Sequence, residues 1–279
     1  VVFPKVVSCH IKILPSYQQI NTIIMHNNIY KTTAQPGVHI DNVYFPIDVE
    51  WRNIGISVSG GADSALLTYL ICTNLHDNCK VHISTQIRCW QTRPWQEHIS
   101  EEVFNWFVKH FPKIDFQRHI NFIPPELEWG SKGPTIEVNG KMKSGNQIIL
   151  RSFNEYLVHK YKLDAWFAGV NQNPDVELEG ALDDRKEPTL ETIKDHMGTK
   201  ICHPFIATTK DWIIKQYKLN YITDLLNITR SCEGDAIDYP DVFGDLDYKN
   251  YKKGQYVPTC GKCFWCKERE WGMNNVSSL

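Results

Sequence analysis

Along this chain short apolar runs alternate with stretches whose apolar residues recur at helical spacing, the pattern of strands exchanging with helices. The clearest case is Ile54-Gly55-Ile56-Ser57-Val58, a β-branched run followed by Ser59-Gly60-Gly61-Ala62-Asp63-Ser64 and then by Ala65-Leu66-Leu67-Thr68-Tyr69-Leu70. The order predicted there is strand, tight loop, helix. Lys80 to Thr85 reads as a second strand, and Pro94 suits the first turn of a helix whose face is Ile99, Val103, Phe107, Val108 and Phe111, down to Pro112. Phe116 to Ile123 predicts a third strand, Asn146 to Lys160 a helix, and Leu163 to Val170 a buried strand. The polar excursion through Gly130, Gly133, Gly140 and Gly145 predicts a surface hairpin or a mobile lid. A charged loop, Glu177 to Glu191, leads to His203-Pro204-Phe205-Ile206. Thr208 or Thr209, with Asp211, then caps a helix through Trp212 to Tyr217, and a short helix from Tyr221 to Leu226 delivers the chain to Ser231-Cys232.

This alternation predicts an α/β fold, a doubly wound parallel sheet with helices on both faces and ligands beyond the carboxyl ends of its strands. Residues 1–50 differ: their short alternating runs, broken by Pro15, Asn27, Asn28 and Pro36-Gly37, predict a β-rich N-terminal extension. The organisation expected is therefore the extension at 1–50, the α/β domain at 51–228 and a cysteine-bearing segment at 229–279.

With 279 residues, 42% of them hydrophobic, the chain can bury a sizeable core. A net charge of −2 argues against a dedicated nucleic-acid coat and favours small-molecule chemistry. No apolar run approaches membrane-spanning length, and Val-Val-Phe-Pro-Lys at the start lacks the features of a signal peptide, so a cytoplasmic location is expected.

The glycine pair of the Ser59 loop permits positive φ and close approach of a ligand, and the first N–H groups of the following helix are unpaired, which attracts phosphate. Ser59 and Ser64 add hydroxyls, and Asp63 adds a carboxylate where phosphate and Mg²⁺ would meet. A plain βα turn with Asp63 or Ser64 as helix cap is the bland alternative. Five residues at fixed offsets between a strand and a helix favour phosphate, although the loop has neither the lysine nor the length of a Walker A motif. Asn171-Gln172-Asn173-Pro174-Asp175 leaves its strand at the same edge of the sheet, as ligand contacts or as ordinary turn residues.

The nine cysteines are unevenly spread. Cys9, Cys72, Cys79, Cys89 and Cys202 stand alone and read as core thiols. Cys260, Cys263 and Cys266 lie close enough for one tetrahedral ion, with Cys232 the nearest fourth ligand. Four thiolates at this spacing favour Zn²⁺ over an iron–sulfur cluster, in a closed structural site around which Phe264, Trp265 and Trp271 pack.

Ser-Gly-Gly-x-Asp-Ser resembles the pyrophosphate loop of the N-type ATP pyrophosphatases, the PP-loop superfamily with its Rossmann-like, adenine nucleotide alpha hydrolase-like fold. From about Asn53 to Arg269 the chain resembles the 7-cyano-7-deazaguanine synthase family within it. The likeness is carried by the loop and by Cys260-Gly261-Lys262-Cys263-Phe264-Trp265-Cys266-Lys267-Glu268-Arg269. Between them lie Gly145-Asn146-Gln147, Ala168-Gly169-Val170-Asn171 with Pro174-Asp175, His203-Pro204-Phe205 with Thr209-Lys210, and Thr229-Arg230-Ser231-Cys232, in the family's order.

The resemblance implies adenylation of the carboxylate of 7-carboxy-7-deazaguanine by ATP, then conversion by ammonia to the amide and, after a second adenylation, to the nitrile. It implies that Ser59, Gly60, Gly61 and Ser64 hold pyrophosphate, with Ser57 and Ala62 also among the cofactor-binding residues, that Asp63 orients Mg²⁺, and that Lys210 reaches a phosphate or stays solvated. Gly169, Asn171 and Asp175 would contact the nucleotide or the acceptor's polar edge, and Cys232, Cys260, Cys263 and Cys266 would hold Zn²⁺. The partners implied are a 7-deazapurine carboxylate and ammonia, with a homodimer allowed and neither direct nucleic acid nor membrane expected.

Departures from the family pattern lie at Ser84-Thr85-Gln86-Ile87-Arg88-Cys89-Trp90, in the missing arginine after Gly145, and in the 27 residues between Cys232 and Cys260. They mark a divergent member and bear on the acceptor. Joining the carboxylate to another amine, or tRNA thiolation with Cys89 as the reactive thiol, keeps the same ATP chemistry. A zinc-bearing interaction module on an inactive nucleotide fold is the non-enzymatic alternative; the intact loop serines and Asp63 weigh against it.

Overall fold

The computed structural model describes residues 36–276 except 77, 89–91, 125–127, 129–134, 139–140, 182–184, 186–191 and 237, with backbone alone for 135–138 and 141–148. Residues 1–35, with Cys9, and also Cys89, Gly130, Gly133 and Gly140 of the sequence reading, lie outside the described residues. The first described elements are β1 (Val38–Ile40) and β2 (Val43–Phe45), an antiparallel hairpin. Val43, Phe45 and Ile47 belong to the main core, and the Phe45 ring meets Phe205 edge-on at 5.9 Å. The 36–50 part of the expected extension therefore packs within the same unit as the α/β sheet.

The chain then runs β3 (Asn53–Ser57), α1 (Ala62–Cys72), β4 (Lys80–Ile87), α2 (Gln96–His110) and β5 (Asp115–Phe122). The excursion after β5 contains a hairpin, β6 (Thr135–Val138) with β7 (Lys141–Ser144), which leads into α3 (Gly145–Tyr161) and β8 (Ala165–Phe167). Two further strands, β9 (Ile193–His196) and β10 (Thr199–Cys202), precede α4 (Lys210–Leu219), α5 (Thr223–Ile228), α6 (Pro240–Phe243) and α7 (Phe264–Asn275).

The large sheet has the order β5-β4-β3-β8-β10-β9 and is parallel throughout except at β9. Ile54, Ile56, Val81, Ile83, Ala165 and Phe167 share one core with apolar residues of α1, α2, α4 and α5. Trp166 turns the other way and packs with Leu157 and Val158 of α3. Apolar residues thus leave both sides of the strands, as a doubly wound sheet requires. From β3 the chain goes first to β4 on one side and later returns to β8 on the other. The opposed connections open a crevice beyond the carboxyl ends of β3 and β8.

The polar strands β9 and β10 escape a reading based on apolar runs. Their residues, Ile-Lys-Asp-His and Thr-Lys-Ile-Cys, carry too few apolar side chains to signal a strand; Lys200, Ile201 and Cys202 of β10 pair with β8, and β9 pairs in turn with β10. The helix assigned to Pro94 begins at Gln96, with Trp95 at its N-cap.

On the α3 side of the sheet, His82 Nδ1 and His119 Nε2 lie 2.9 Å apart, one ring donating to the other, with Tyr161 against both rings. His82 is 2% exposed. Burial, then the neighbouring His119, pushes its pKa down to about 4, and burial lowers that of His119 as well. The folded state favours the neutral ring while the unfolded chain takes up a proton near pH ~6.5, so this contribution is complete above about 6.5 and is lost as pH falls toward 4. Thermal melts across that window are expected to show a steeper loss of Tm for the wild type than for His82→Phe. Parallel pH profiles would show that the pair does not set the acid sensitivity.

Candidate active site

β3 delivers Ser57 and Val58 to a turn at Gly60, whose φ of 85° lies in the left-handed region that suits glycine. Gly61 is the N-cap of α1. The loop is held by its own hydroxyls: Gly61 N donates to Ser59 Oγ (3.2 Å), Ser59 N to Ser64 Oγ (3.3 Å), and Ser64 Oγ to Gly61 O (3.2 Å). The first N–H groups of α1 therefore start beside Ser59 and Ser64 with no helical acceptor. Ser59, Gly61, Asp63 and Ser64 border a cavity of about 440 Å³.

The loop after β8 closes the same cavity with Gly169, Val170 and Asn171. A Cβ on Gly169 would lie 3.2 Å from Asp63 C and 3.2 Å from Ser64 N, so a bare α-carbon lets this loop sit against the start of α1. From the other side, α4 grips that start, with Tyr217 OH donating to Ala62 O at 2.6 Å and Lys210 Nζ donating to Asp63 Oδ1. Burial, then the Asp63 charge, raises the Tyr217 pKa well above its ordinary value, so the hydroxyl keeps the proton it donates.

Lys210 is 0% exposed and has a second acid, Glu268 of α7, with Oε2 at 3.3 Å. Glu268 Oε1 accepts from Arg185 (2.5 Å) and from Asn171 Nδ2 (3.1 Å), while Arg185 also donates to Asn171 Oδ1 and O, each at 2.7 Å. Charges alternate along Asp63, Lys210, Glu268 and Arg185, which is what allows so many ionised groups to be buried together.

The opposite wall comes from the cysteine-bearing segment. Arg230 N donates to Gly60 O (2.9 Å), and its guanidinium lies 4.2 Å from the centre of the Trp95 ring while donating to Val257 O (2.5 Å) and Pro258 O (2.7 Å). Arg93, also on the cavity, donates to Glu233 at 2.6 Å. Arg269 donates to Thr229 O, Thr229 Oγ1 and Leu226 O and so fixes the approach to Cys232.

The Sγ atoms of Cys232, Cys260, Cys263 and Cys266 all lie within 4.8 Å of one another, a ligand set for one metal ion. Cys232 and Cys260 are 3.5 Å apart, and Cys260 and Cys266 3.9 Å. Backbone N–H groups of Cys260 and Cys263 donate to Cys232 Sγ and Cys260 Sγ, each at 3.3 Å, contacts that stabilise thiolates. Hydrogen bonds from Cys263 and then Cys266 lower the Cys232 pKa. The remaining described cysteines are buried, and desolvation pushes Cys79 up to about 11 and Cys202 up to about 12.

The residues singled out in the sequence divide between several places. Ser59, Gly61, Asp63, Ser64, Gly169 and Asn171 meet at the cavity, with Gly60 making the turn, Ala62 buried beneath it and Lys210 buried behind Asp63. Ser57 Oγ turns to the α3 face, where it accepts from Trp166 Nε1 (3.2 Å) and borders a separate cavity of about 400 Å³. Asp175 is exposed and does not border the cavity of the Ser59 loop. The Asn171 amide is engaged by Glu268 and Arg185. Glu268, Arg185, Arg93 and Arg230 had no assigned role in the sequence reading. Glu268 and Arg230 lie inside the quoted motifs, where their neighbours signalled chemistry; nothing in the sequence around Arg185 or Arg93 does so.

No protein-family model matches the chain, and no curated protein sequence matches it. Among solved structures, the chain is similar to the U34-tRNA thiolase NcsA from Methanococcus maripaludis with its [4Fe-4S] cluster, at 13% identity and a TM-score of 0.39, over 82% of this chain and 72% of that one. Likeness of that degree assigns neither reaction nor metal. No helix among the described residues is long and apolar enough to cross a membrane.

Close approach at Gly169 makes a direct prediction. Gly169→Ala places its methyl against the α1 backbone, which can yield only by moving the loop; overpacking of this kind costs about 1–3 kcal/mol. A lowered urea midpoint with an unchanged m-value is the expected result, and an unaltered midpoint would show that the two loops are not in contact.

Proposed function

We propose that the chain is an ATP pyrophosphatase of the PP-loop kind that adenylates a carboxylate, with 7-carboxy-7-deazaguanine as acceptor and ammonia as nitrogen donor. The observation that carries this reading is the position of the Ser59 to Ser64 loop at the crossover of the parallel sheet, bordering a cavity together with Gly169 and backed by the buried pair of Asp63 and Lys210. Unpaired helix N–H groups and hydroxyls suit the equatorial oxygens of a polyphosphate, and a buried ammonium behind them suits its charge. In this reading Ser59, Gly60, Gly61 and Ser64 hold pyrophosphate, and Asp63, whose side chain is 22% exposed, is the oxygen ligand within reach of Mg²⁺. Mg²⁺ supplies charge neutralisation at the phosphates; the chain contributes positioning and preorganised donors.

The acceptor is assigned from the motif order, from the loop through Arg269, that resembles the 7-cyano-7-deazaguanine synthases. Thiolation would rest on Cys89, which lies outside the described residues; among the described cysteines, Cys72, Cys79 and Cys202 are core thiols and Cys232 belongs to the four-cysteine set.

Zinc is the metal that suits the cysteines. A tetrahedral ion with bonds of about 2.3 Å sets its sulfurs about 3.8 Å apart. The separations of 3.5 and 3.9 Å fit that edge, whereas a cubane cluster, with an iron at each thiolate corner, spreads its ligands more widely. All four positions are protein sulfur, so the ion closes the segment and leaves catalysis to the loop.

Incubation with ATP, Mg²⁺, ammonia and 7-carboxy-7-deazaguanine, read by mass spectrometry, should give AMP, pyrophosphate and the nitrile. Asp63→Ala should keep the fold and reduce AMP release by about 100-fold or more, the scale of losing one charge-stabilising group. AMP release at the wild-type rate in that variant would remove the loop assignment, and the absence of any ATP-dependent change in the deazapurine would remove the acceptor. Purified protein should carry about one zinc per chain, and Cys263→Ala should lower zinc content and Tm together. Iron and sulfide in place of zinc would overturn the metal assignment.

A further inference from the structure

Glu268 is an acid with no exposed surface, placed beside the loop by the helix that begins in the four-cysteine segment. Its two oxygens face different partners: Oε1 takes Arg185 and Asn171, while Oε2 makes no hydrogen bond of good geometry and has Lys210 Nζ at 3.3 Å as its charge partner. The approach is built into the packing of α7 on α4. A Cβ on Gly272 would lie 2.8 Å from Lys210 Cγ and 3.1 Å from its carbonyl oxygen, so only glycine lets the helices close to this distance.

We propose that Glu268 is a positioning residue for the polyphosphate site, holding Lys210 in competition with Asp63 and so setting how readily Asp63 is released to Mg²⁺. The inference rests on the ATP reading above. Lys210 is buried and cannot exchange a carboxylate for water. Asp63 is therefore free to ligate a divalent ion only to the extent that the ammonium has another anionic partner. Glu268 is that partner. Without its charge Lys210 is left to Asp63 alone, and Mg²⁺ must displace a tighter pair. Removing Arg185 has the opposite consequence, because Glu268 then has Lys210 as its remaining charged partner and draws it further from Asp63.

Calorimetric titration of the intact, metal-loaded chain with ATP at graded Mg²⁺ tests this, the readout being the Mg²⁺ concentration at which ATP affinity is half-maximal. Glu268→Gln is expected to raise that midpoint about tenfold or more, the scale of losing one charge of a buried ion pair, and Arg185→Met to lower it. In a Lys210→Met background Glu268→Gln should add no shift, since the effect passes through Lys210. A midpoint unchanged in Glu268→Gln, a rise in both single variants, or a full shift persisting without Lys210 overturns the proposal. If Glu268→Gln fails to fold, the sign of the Arg185→Met shift decides. A wild-type chain with no Mg²⁺-dependent ATP binding removes the ATP reading and this inference together; a clear wild-type midpoint that the variants leave in place removes the inference alone.

Discussion

The arrangement around the loop depends on one buried ammonium. Lys210 has no solvent contact, so its charge is tolerable only between the Asp63 and Glu268 carboxylates, and Glu268 in turn is tolerable only because Arg185 and Asn171 cover its other oxygen. Each of the two inner charges, Lys210 and Glu268, keeps one charged partner when an outer one is lost, but losing Lys210 or Glu268 itself takes a partner from both neighbours. Three parts of the chain distant in sequence are tied by this constraint: the start of α1, the start of α4 and the middle of α7. Such a buried chain of charges adds little net stability compared with an apolar core, but it permits a single relative placement of those parts.

That placement explains why the cysteine-bearing segment sits where it does. α7 begins at Phe264, directly after Cys263, and runs from the metal ligands to Glu268 within little more than a turn. A metal that fixes Cys263 and Cys266 thereby fixes the direction from which Glu268 enters the site. Arg269 does the same for the preceding segment of the wall through Thr229 and Leu226, and Arg230 carries the constraint to Gly60 on the loop itself. The four-cysteine segment and the Ser59 loop form one mechanical unit, although the chemistry proposed for the loop needs no open position on a metal there.

What the sequence by itself determined are the features with strong local causes. A β-branched run, a glycine pair and a helical run specify β3, the loop and α1 through backbone conformation alone, and three cysteines at fixed spacing bring their sulfurs together whatever surrounds them. The parallel sheet was legible for a similar reason, since strands buried on both faces have to be apolar. The tertiary structure alone decided features whose causes are distant in sequence. β10 is a strand because β8 offers an edge to pair with, and β9 because β10 then does, not because their own residues prefer it. Ser57 belongs to the other face of the sheet because the strand alternates, while Ser59, two residues on, lies beyond its end in the turn. Lys210 and Glu268 are ordinary helical residues in the sequence; burial gives them their role, together with the pairing of Lys210 across 147 residues to Asp63 and of Glu268 to Lys210 and Arg185, and no local pattern encodes contacts of such span.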